Sequence, residues 1–198
     1  MKKKFYVFEG IDGSGKSTLI EALQQKVDTR LFYFTKEPGG TNFKDSIKEL
    51  LKISLENKDP YAQYLLFAAE RTHHIKNVIL PKLKNSITVI SDRFFDSSLV
   101  YQSEQVATQF MKMIFEKTNY NLTPTKTFFC YIDPQIAMQR IQERKKKDIF
   151  DDYFFSKLSQ LQEKYIALYK NRDDVITLDM NVSINENVAI ALKEISHN

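Results

Sequence analysis

The sequence predicts a doubly wound α/β fold, on three observations. Five short runs rich in β-branched and aromatic residues recur along the chain, apolar on both faces as strands inside a parallel sheet are. Stretches with helical spacing separate them, so strand and helix alternate from one end to the other. The first run stops abruptly at Val7 to Leu19, V-F-E-G-I-D-G-S-G-K-S-T-L, where Gly10, Gly15, Lys16 and Ser17 occupy the four defined places of G-x-x-x-x-G-K-[ST]. Folds of this kind place ligands at the carboxyl ends of their strands.

In chain order the predicted strands are Phe5 to Glu9, Leu31 to Thr35, Ile87 to Ser91, Thr127 to Ile132 and Val175 to Leu178. Helices are predicted over Ser17 to Val27, Asn42 to Leu55, Tyr61 to Leu83, about Gln102 to Lys117, Gln135 to Arg144, Tyr153 to Tyr169 and about Ile184 to Ile195. With 198 residues, 42% of them hydrophobic, the chain is expected to form one domain, residues 1–198. The net charge of +4 suits an anionic small ligand and is too small to imply a polynucleotide partner. Cys130, the single cysteine, lies in an apolar run and reads as a small buried hydrophobe, which favours a reducing compartment. After Met1-Lys2-Lys3-Lys4 the apolar run lasts only four residues before Glu9, too few for a signal peptide. No stretch approaches the length of about eighteen apolar residues that a membrane span needs.

The segment Gly10, Ile11, Asp12, Gly13, Ser14, Gly15, Lys16, Ser17 and Thr18 is a candidate phosphate-binding loop. Its glycines let successive N–H groups converge on one anion, and the following helix adds its positive end. Lys16 is expected to be an exposed loop lysine that reaches the β- and γ-phosphates of a nucleoside triphosphate. The Ser17 hydroxyl is expected to ligate Mg²⁺. Removing an exposed lysine would cost little stability.

Three further stretches carry chemistry. In T-K-E-P-G-G-T, Thr35 to Thr41, a forced turn follows a strand, Thr41 or Asn42 can cap the next helix, and Lys36 and Glu37 are held where a cation can bind a second phosphate. In L-L-F-A-A-E-R-T-H-H, Phe67 and Arg71 are four apart on one helix face, so one can stack a base while the other donates to its edge. Taken singly, Phe67 also suits a core and Arg71 an ion pair. His73 and His74 are neighbours pointing to different faces, a poor metal geometry, and are expected to be structural or solvated. In S-D-R-F-F-D-S-S-L-V-Y-Q, Asp92 ends a strand where such proteins hold Mg²⁺. Arg93 follows in place of a water-activating glutamate, which favours transfer to an acceptor over hydrolysis.

These four motifs, in this order and across essentially the whole chain, resemble the thymidylate kinase family, which moves the γ-phosphoryl group of ATP onto dTMP. The resemblance implies a five-stranded parallel sheet of the P-loop kinase type with a short lid at about residues 144–152, Mg²⁺, a homodimer and a cytoplasmic setting. By position it implies that Phe67 stacks on thymine, that Arg71 donates to O4, and that Ser98 and Gln102 lie near the N3 edge. Tyr101 would crowd the 2′ position, Arg93 with Lys36 would hold the dTMP phosphate, and Asp12 would lie near the 3′-hydroxyl and the transferring group. Three departures stand out: Lys36 replaces a common arginine, the loop after Tyr101-Gln102 is short, and Ile149 replaces a lid arginine. Arg144 is the expected lid cation, because its planar fork spans two phosphate oxygens. Kinases of other nucleosides or nucleotides, and a regulatory module that binds ATP without transferring its phosphate, remain as alternatives.

Overall fold

The computed structural model describes residues 4–143 and 154–197. The elements run β1 (Phe5–Glu9), α1 (Lys16–Gln24), β2 (Phe32–Lys36), α2 (Lys44–Glu56) and α3 (Pro60–His74). A π-helical turn, Ile75–Ile79, then leads into α4 (Leu80–Lys84), β3 (Thr88–Asp92), α5 (Phe95–Tyr101) and α6 (Thr108–Thr118). The remainder is β4 (Lys126–Tyr131), α7 (Pro134–Gln142), a 3₁₀ turn Phe155–Lys157, α8 (Leu158–Tyr169), β5 (Val175–Asp179) and α9 (Ile184–His197). The five strands form one sheet in the order β2-β3-β1-β4-β5. Parallel registers pair Lys36 with Asp92 and Cys130 with Leu178.

Two compact units make up the chain, Met1–Val7 with Arg30–Thr125 and Phe8–Thr29 with Lys126–Asn198. In the first, Phe5, Val7, Tyr64, Ala68, Ile75, Ile79, Val89 and Phe94 are buried together, and Tyr64 satisfies its hydroxyl by donating to the Met111 carbonyl at 2.7 Å. In the second, Phe8 stacks on Phe128 with ring centroids 4.7 Å apart, and Phe129 on Tyr165 at 5.5 Å. Cys130 is fully buried, as its apolar neighbours require.

Strand positions agree with the sequence reading to within a residue or so, but the burial pattern does not hold throughout. β1 is buried along its whole length, whereas β2 and β5 are half-buried. They are the two edges of the sheet, with a neighbour on one side only. The helix expected over Tyr61 to Leu83 changes pitch at Ile75–Ile79, because Pro81 offers no N–H to the carbonyl one turn before it. The helix expected from Gln102 begins only at Thr108, and a separate seven-residue helix, α5, precedes it. Thr41 does not cap α2: its hydroxyl accepts from the Phe43 N–H at 3.1 Å, and Phe43 is the cap residue. Among the described residues no helix is long and apolar enough to cross a membrane.

Candidate active site

The phosphate loop grows out of the most deeply buried strand. Glu9, which ends β1, is fully buried and accepts from the Tyr165 hydroxyl at 2.8 Å. The backbone then runs so close to its neighbours that side chains are excluded. A Cβ on Gly10 would stand 2.7 Å from the Cys130 carbonyl oxygen, and one on Gly13 only 2.4 Å from that of Ala137. Gly13 also has φ 79°, a conformation that L residues adopt at a cost.

Lys16 is the first residue of α1 and, contrary to the sequence expectation, is buried, with 5% of its surface exposed. Its ammonium donates to the carbonyls of Gly10 and Ile11, each at 2.9 Å, and to the Ser14 hydroxyl at 3.3 Å. The loop's own backbone thus supplies the acceptors that make burial of the charge tolerable. Ile11 and Ser14 are buried, Asp12 and Gly15 half-buried, Ser17 and Thr18 exposed. Arg140, near the end of α7, donates to the Ser14 carbonyl at 3.4 Å and lies 3.3 Å from the position of a Gly15 Cβ. Sequence reading passed over it, since nothing local distinguishes it from a surface arginine. Arg144 and the expected lid lie outside the described residues.

In the other unit three segments contribute side chains. The turn after β2, which includes a cis peptide at Glu37-Pro38, buries the Glu37 side chain. One carboxylate oxygen accepts from Arg71 Nε at 2.7 Å and the other from His74 Nδ1 at 2.9 Å. Arg71 is itself 4% exposed. Its Nη2 donates to the Ser98 hydroxyl at 3.0 Å and the Phe94 carbonyl at 3.4 Å, and the Phe94 and Phe95 rings flank it at 5.8 and 5.7 Å. Among the described residues Nη1 makes no hydrogen bond, so the guanidinium keeps donors in hand. Phe67, half-buried, lies one helical turn before it.

The segment after β3 supplies the remaining groups. Asp92 ends the strand with one carboxylate oxygen buried, and its carbonyl accepts from the Glu37 N–H at 2.9 Å. Arg93 has φ 70°, a strain of roughly 1–3 kcal/mol in a residue with a side chain. The Ser91 hydroxyl, donating to the Arg93 carbonyl at 2.8 Å, helps hold that conformation. Arg93 Nη1 donates to Ser97 Oγ at 3.0 Å and Nη2 to the Tyr101 hydroxyl at 3.2 Å, with the guanidinium over the Tyr101 ring at 4.9 Å. Gln102 is four residues beyond Ser98 and on the same side of α5. Its amide is buried with neither oxygen nor nitrogen hydrogen-bonded among the described residues. Buried amides in that condition are uncommon and mark a place where a partner belongs. Lys36 is exposed at the end of β2.

Residues 8–190 match the family model described as thymidylate kinase. The chain belongs to the thymidylate kinase family. It is 36% identical over 199 residues to a thymidylate kinase of Mycoplasma mobile, covering 96% of this chain and 95% of that one. Identity to the thymidylate kinase of Mycoplasmoides gallisepticum is 31% over 191 residues, 93% of this chain and 90% of that one. The crystal structure of thymidylate kinase from Ehrlichia chaffeensis superposes with a TM-score of 0.73 at 25% identity, over 99% of this chain and 100% of the other.

Family membership makes the chain a nucleoside monophosphate kinase, a phosphotransferase. Of the residues singled out from the sequence, Glu37, Arg71 and Ser98 meet in one buried network, and Arg93 meets Tyr101. One buried carboxylate beside the network escaped the sequence reading. Glu70 accepts from the Gly39 N–H at 3.3 Å and the Thr41 hydroxyl at 3.2 Å, and so ties α3 to the turn that a thymidylate kinase carries after β2. Burial raises the Glu70 pKa above its ordinary value, and the neighbouring Glu37 charge raises it further. His74, expected to be structural or solvated, is structural: it is fully buried and bonded on both nitrogens. His73, its neighbour, lies on another face of α3 and stacks on Phe43 at 3.9 Å. Among the described residues no group of three or more histidine, cysteine and carboxylate side chains could hold a metal ion.

Proposed function

We propose that this chain transfers the γ-phosphoryl group of ATP to dTMP, giving dTDP, with residues 1–198 acting as one catalytic domain. The observation that carries the choice of acceptor is a pair of groups in one unit: the buried, unsatisfied Gln102 amide, which donates and accepts, and Arg71 Nη1, which only donates and has no hydrogen-bond partner among the described residues. A thymine edge presents two carbonyl acceptors around an N3 donor and complements that set. Arg71 would donate to O4, Gln102 and Ser98 would meet the N3 edge, and Phe67 would stack on the ring. Tyr101 would crowd the 2′ position and favour deoxyribose. Arg93 and Lys36 would bind the monophosphate, and Asp12 would lie near the 3′-hydroxyl and the transferring group.

No general base is needed in this scheme, because a phosphate monoester with a second pKa of about 6 is largely a dianion at neutral pH. The difficulty is repulsion between two anions, and cations answer it. The loop from Gly10 to Thr18 would hold the ATP phosphates on its N–H groups, with Lys16 on the β- and γ-oxygens and Arg144 as the lid cation. Magnesium, when bound, would neutralise phosphate charge, and the Ser17 hydroxyl and Asp92 carboxylate are hard oxygen donors of the kind it takes. The setting in this reading is cytoplasmic and the assembly a homodimer. Leu50 and Ile53 of α2, Leu65 of α3 and Met113 of α6 are exposed apolar residues available for the contact.

Coupled detection of ADP release tests the reading. With ATP and Mg²⁺, dTMP should drive turnover, dUMP should be slower by a factor of roughly 5–150 for the missing methyl, and dCMP should be poor. Turnover that does not depend on an added monophosphate would point to a non-transferring ATPase, and preference for another base would replace dTMP as acceptor. Asp92→Asn should raise the Mg²⁺ concentration for half-maximal rate; an unchanged metal titration removes Asp92 from the metal site.

A further inference from the structure

Glu37, Arg71 and His74 form a chain of contacts in which both Glu37 oxygens and both His74 nitrogens are bonded. An ionised carboxylate only accepts, so His74 donates from Nδ1 to one Glu37 oxygen while Arg71 donates from Nε to the other. The other ring nitrogen, Nε2, pairs with the Thr35 hydroxyl at 2.7 Å. Anchoring one carboxylate oxygen stops the group from turning about its last bond, and the plane of the carboxylate then sets the plane of the guanidinium. Ser98 and the Phe94 carbonyl fix the other end of Arg71.

The same helix also grips the turn that carries Lys36. Glu70 holds Gly39 and Thr41, and His74 holds Thr35, the residue before Lys36. The fit is close: a Cβ on Gly40 would lie 2.5 Å from His74 Nε2, 2.6 Å from Thr35 Oγ1 and 2.7 Å from the Lys36 carbonyl oxygen. A leucine in place of His74 could fill the space, but it would leave a Glu37 oxygen and the Thr35 hydroxyl without this partner.

We infer that His74 is a positioning residue for the acceptor nucleotide: through Glu37 it orients Arg71 toward the base, and through Thr35 it steadies the strand end that presents Lys36. The inference rests on the reading that Arg71 meets the base. It makes base selection and phosphate placement depend on one buried imidazole that touches neither.

Steady-state phosphoryl transfer to dTMP and dCMP, with wild type, Arg71→Ala, His74→Leu and His74→Asn, tests it. His74→Leu should raise KM for dTMP by about tenfold, leave KM for ATP within about twofold, and cut the preference for dTMP over dCMP by at least about tenfold. His74→Asn retains a donor for Glu37 and should recover that preference to within about threefold of wild type. Should His74→Leu fail to fold, Thr35→Val, which keeps the branched shape and deletes the hydroxyl, should still raise KM for dTMP by about threefold. The inference is overturned if Arg71→Ala loses the preference while His74→Leu keeps it, or if Thr35→Val leaves KM for dTMP unchanged. It is overturned equally if the histidine variants lower kcat alike for both monophosphates with KM unchanged, as a merely structural role would have it. If Arg71→Ala behaves as wild type, the base contact itself fails, a result distinguishable from the other two.

Discussion

The phosphate loop and the Arg71 network place charged groups in buried positions by opposite means. The loop does so with backbone: Lys16 rests on the carbonyls of Gly10 and Ile11, six and five residues away in the chain. The network does so with side chains: Arg71 meets Glu37 at a separation of 34 residues and Ser98 at 27. A backbone site tolerates change in side chains and not in glycines. A side-chain site is exposed to any substitution that removes a partner, because the group left behind keeps its desolvation cost.

Lys16→Ala is the harshest test of the loop. Turnover should fall by at least about 10³-fold through lost charge on the phosphates, and a rate within tenfold of wild type contradicts the assignment. Stability should fall as well, by roughly 1–3 kcal/mol, because three acceptors lose their donor; urea denaturation reads this directly. Gly13→Ala comes next. Its methyl would collide with the Ala137 carbonyl at φ 79°, so the protein should lose about 2 kcal/mol or more and ATP affinity should weaken, whereas dTMP affinity should hold. Equal losses for both nucleotides would show that the two regions are not built independently.

That contrast also explains what could be read from the chain. The loop was legible because its determinants are contiguous and its spacing is fixed by the anion. Burial of Lys16 was not, because lysine is rarely buried and its acceptors are main-chain atoms that no side-chain pattern reports. Phe67 and Arg71 were singled out by their spacing on one helix face, and Ser98 and Gln102 by resemblance, whereas Glu70, whose partners lie 29 and 31 residues away, carried no local signal. Helix α5 has only seven residues, too few for a helical period to emerge, and so Ser98 and Gln102 were placed without their helix. The strands were recovered to within a residue or so, since hydrophobic period is written along the whole chain, whereas several helix bounds were missed by more. The half-buried faces of β2 and β5 depend on strand order, which period does not encode.

Smaller effects sharpen the picture on the side-chain half. Lys36 presents a point charge at an exposed position, so Lys36→Arg, with its planar fork, should lower KM for dTMP by about two- to fivefold and leave KM for ATP alone. An increase would mean that the fork does not fit this turn. Glu70 gives the smallest expected effect, seen in stability against pH. Its folded pKa lies above the ordinary 4.5, so its contribution is fully present below that value and is lost as pH rises through the folded pKa. Glu70→Gln keeps an oxygen for the Gly39 N–H and the Thr41 hydroxyl and carries no charge. Between about pH 4.5 and pH 7 its Tm should therefore decline less than that of wild type. Parallel curves would mean that burial does not disfavour the Glu70 charge.

The ratio of kcat/KM for dTMP to that for dCMP, measured on the wild-type protein at saturating ATP and Mg²⁺, tests the central claim most directly. In the proposed reading the buried Arg71 guanidinium would meet an acceptor, O4, in thymine and a donor in cytosine. The mismatch sets an Arg71 N–H against a donor, although Glu37 still pairs the charge, so the ratio should be at least about 10³. A ratio near one would contradict the account, because Arg71, held by Glu37 and Ser98, would then not be reading the base.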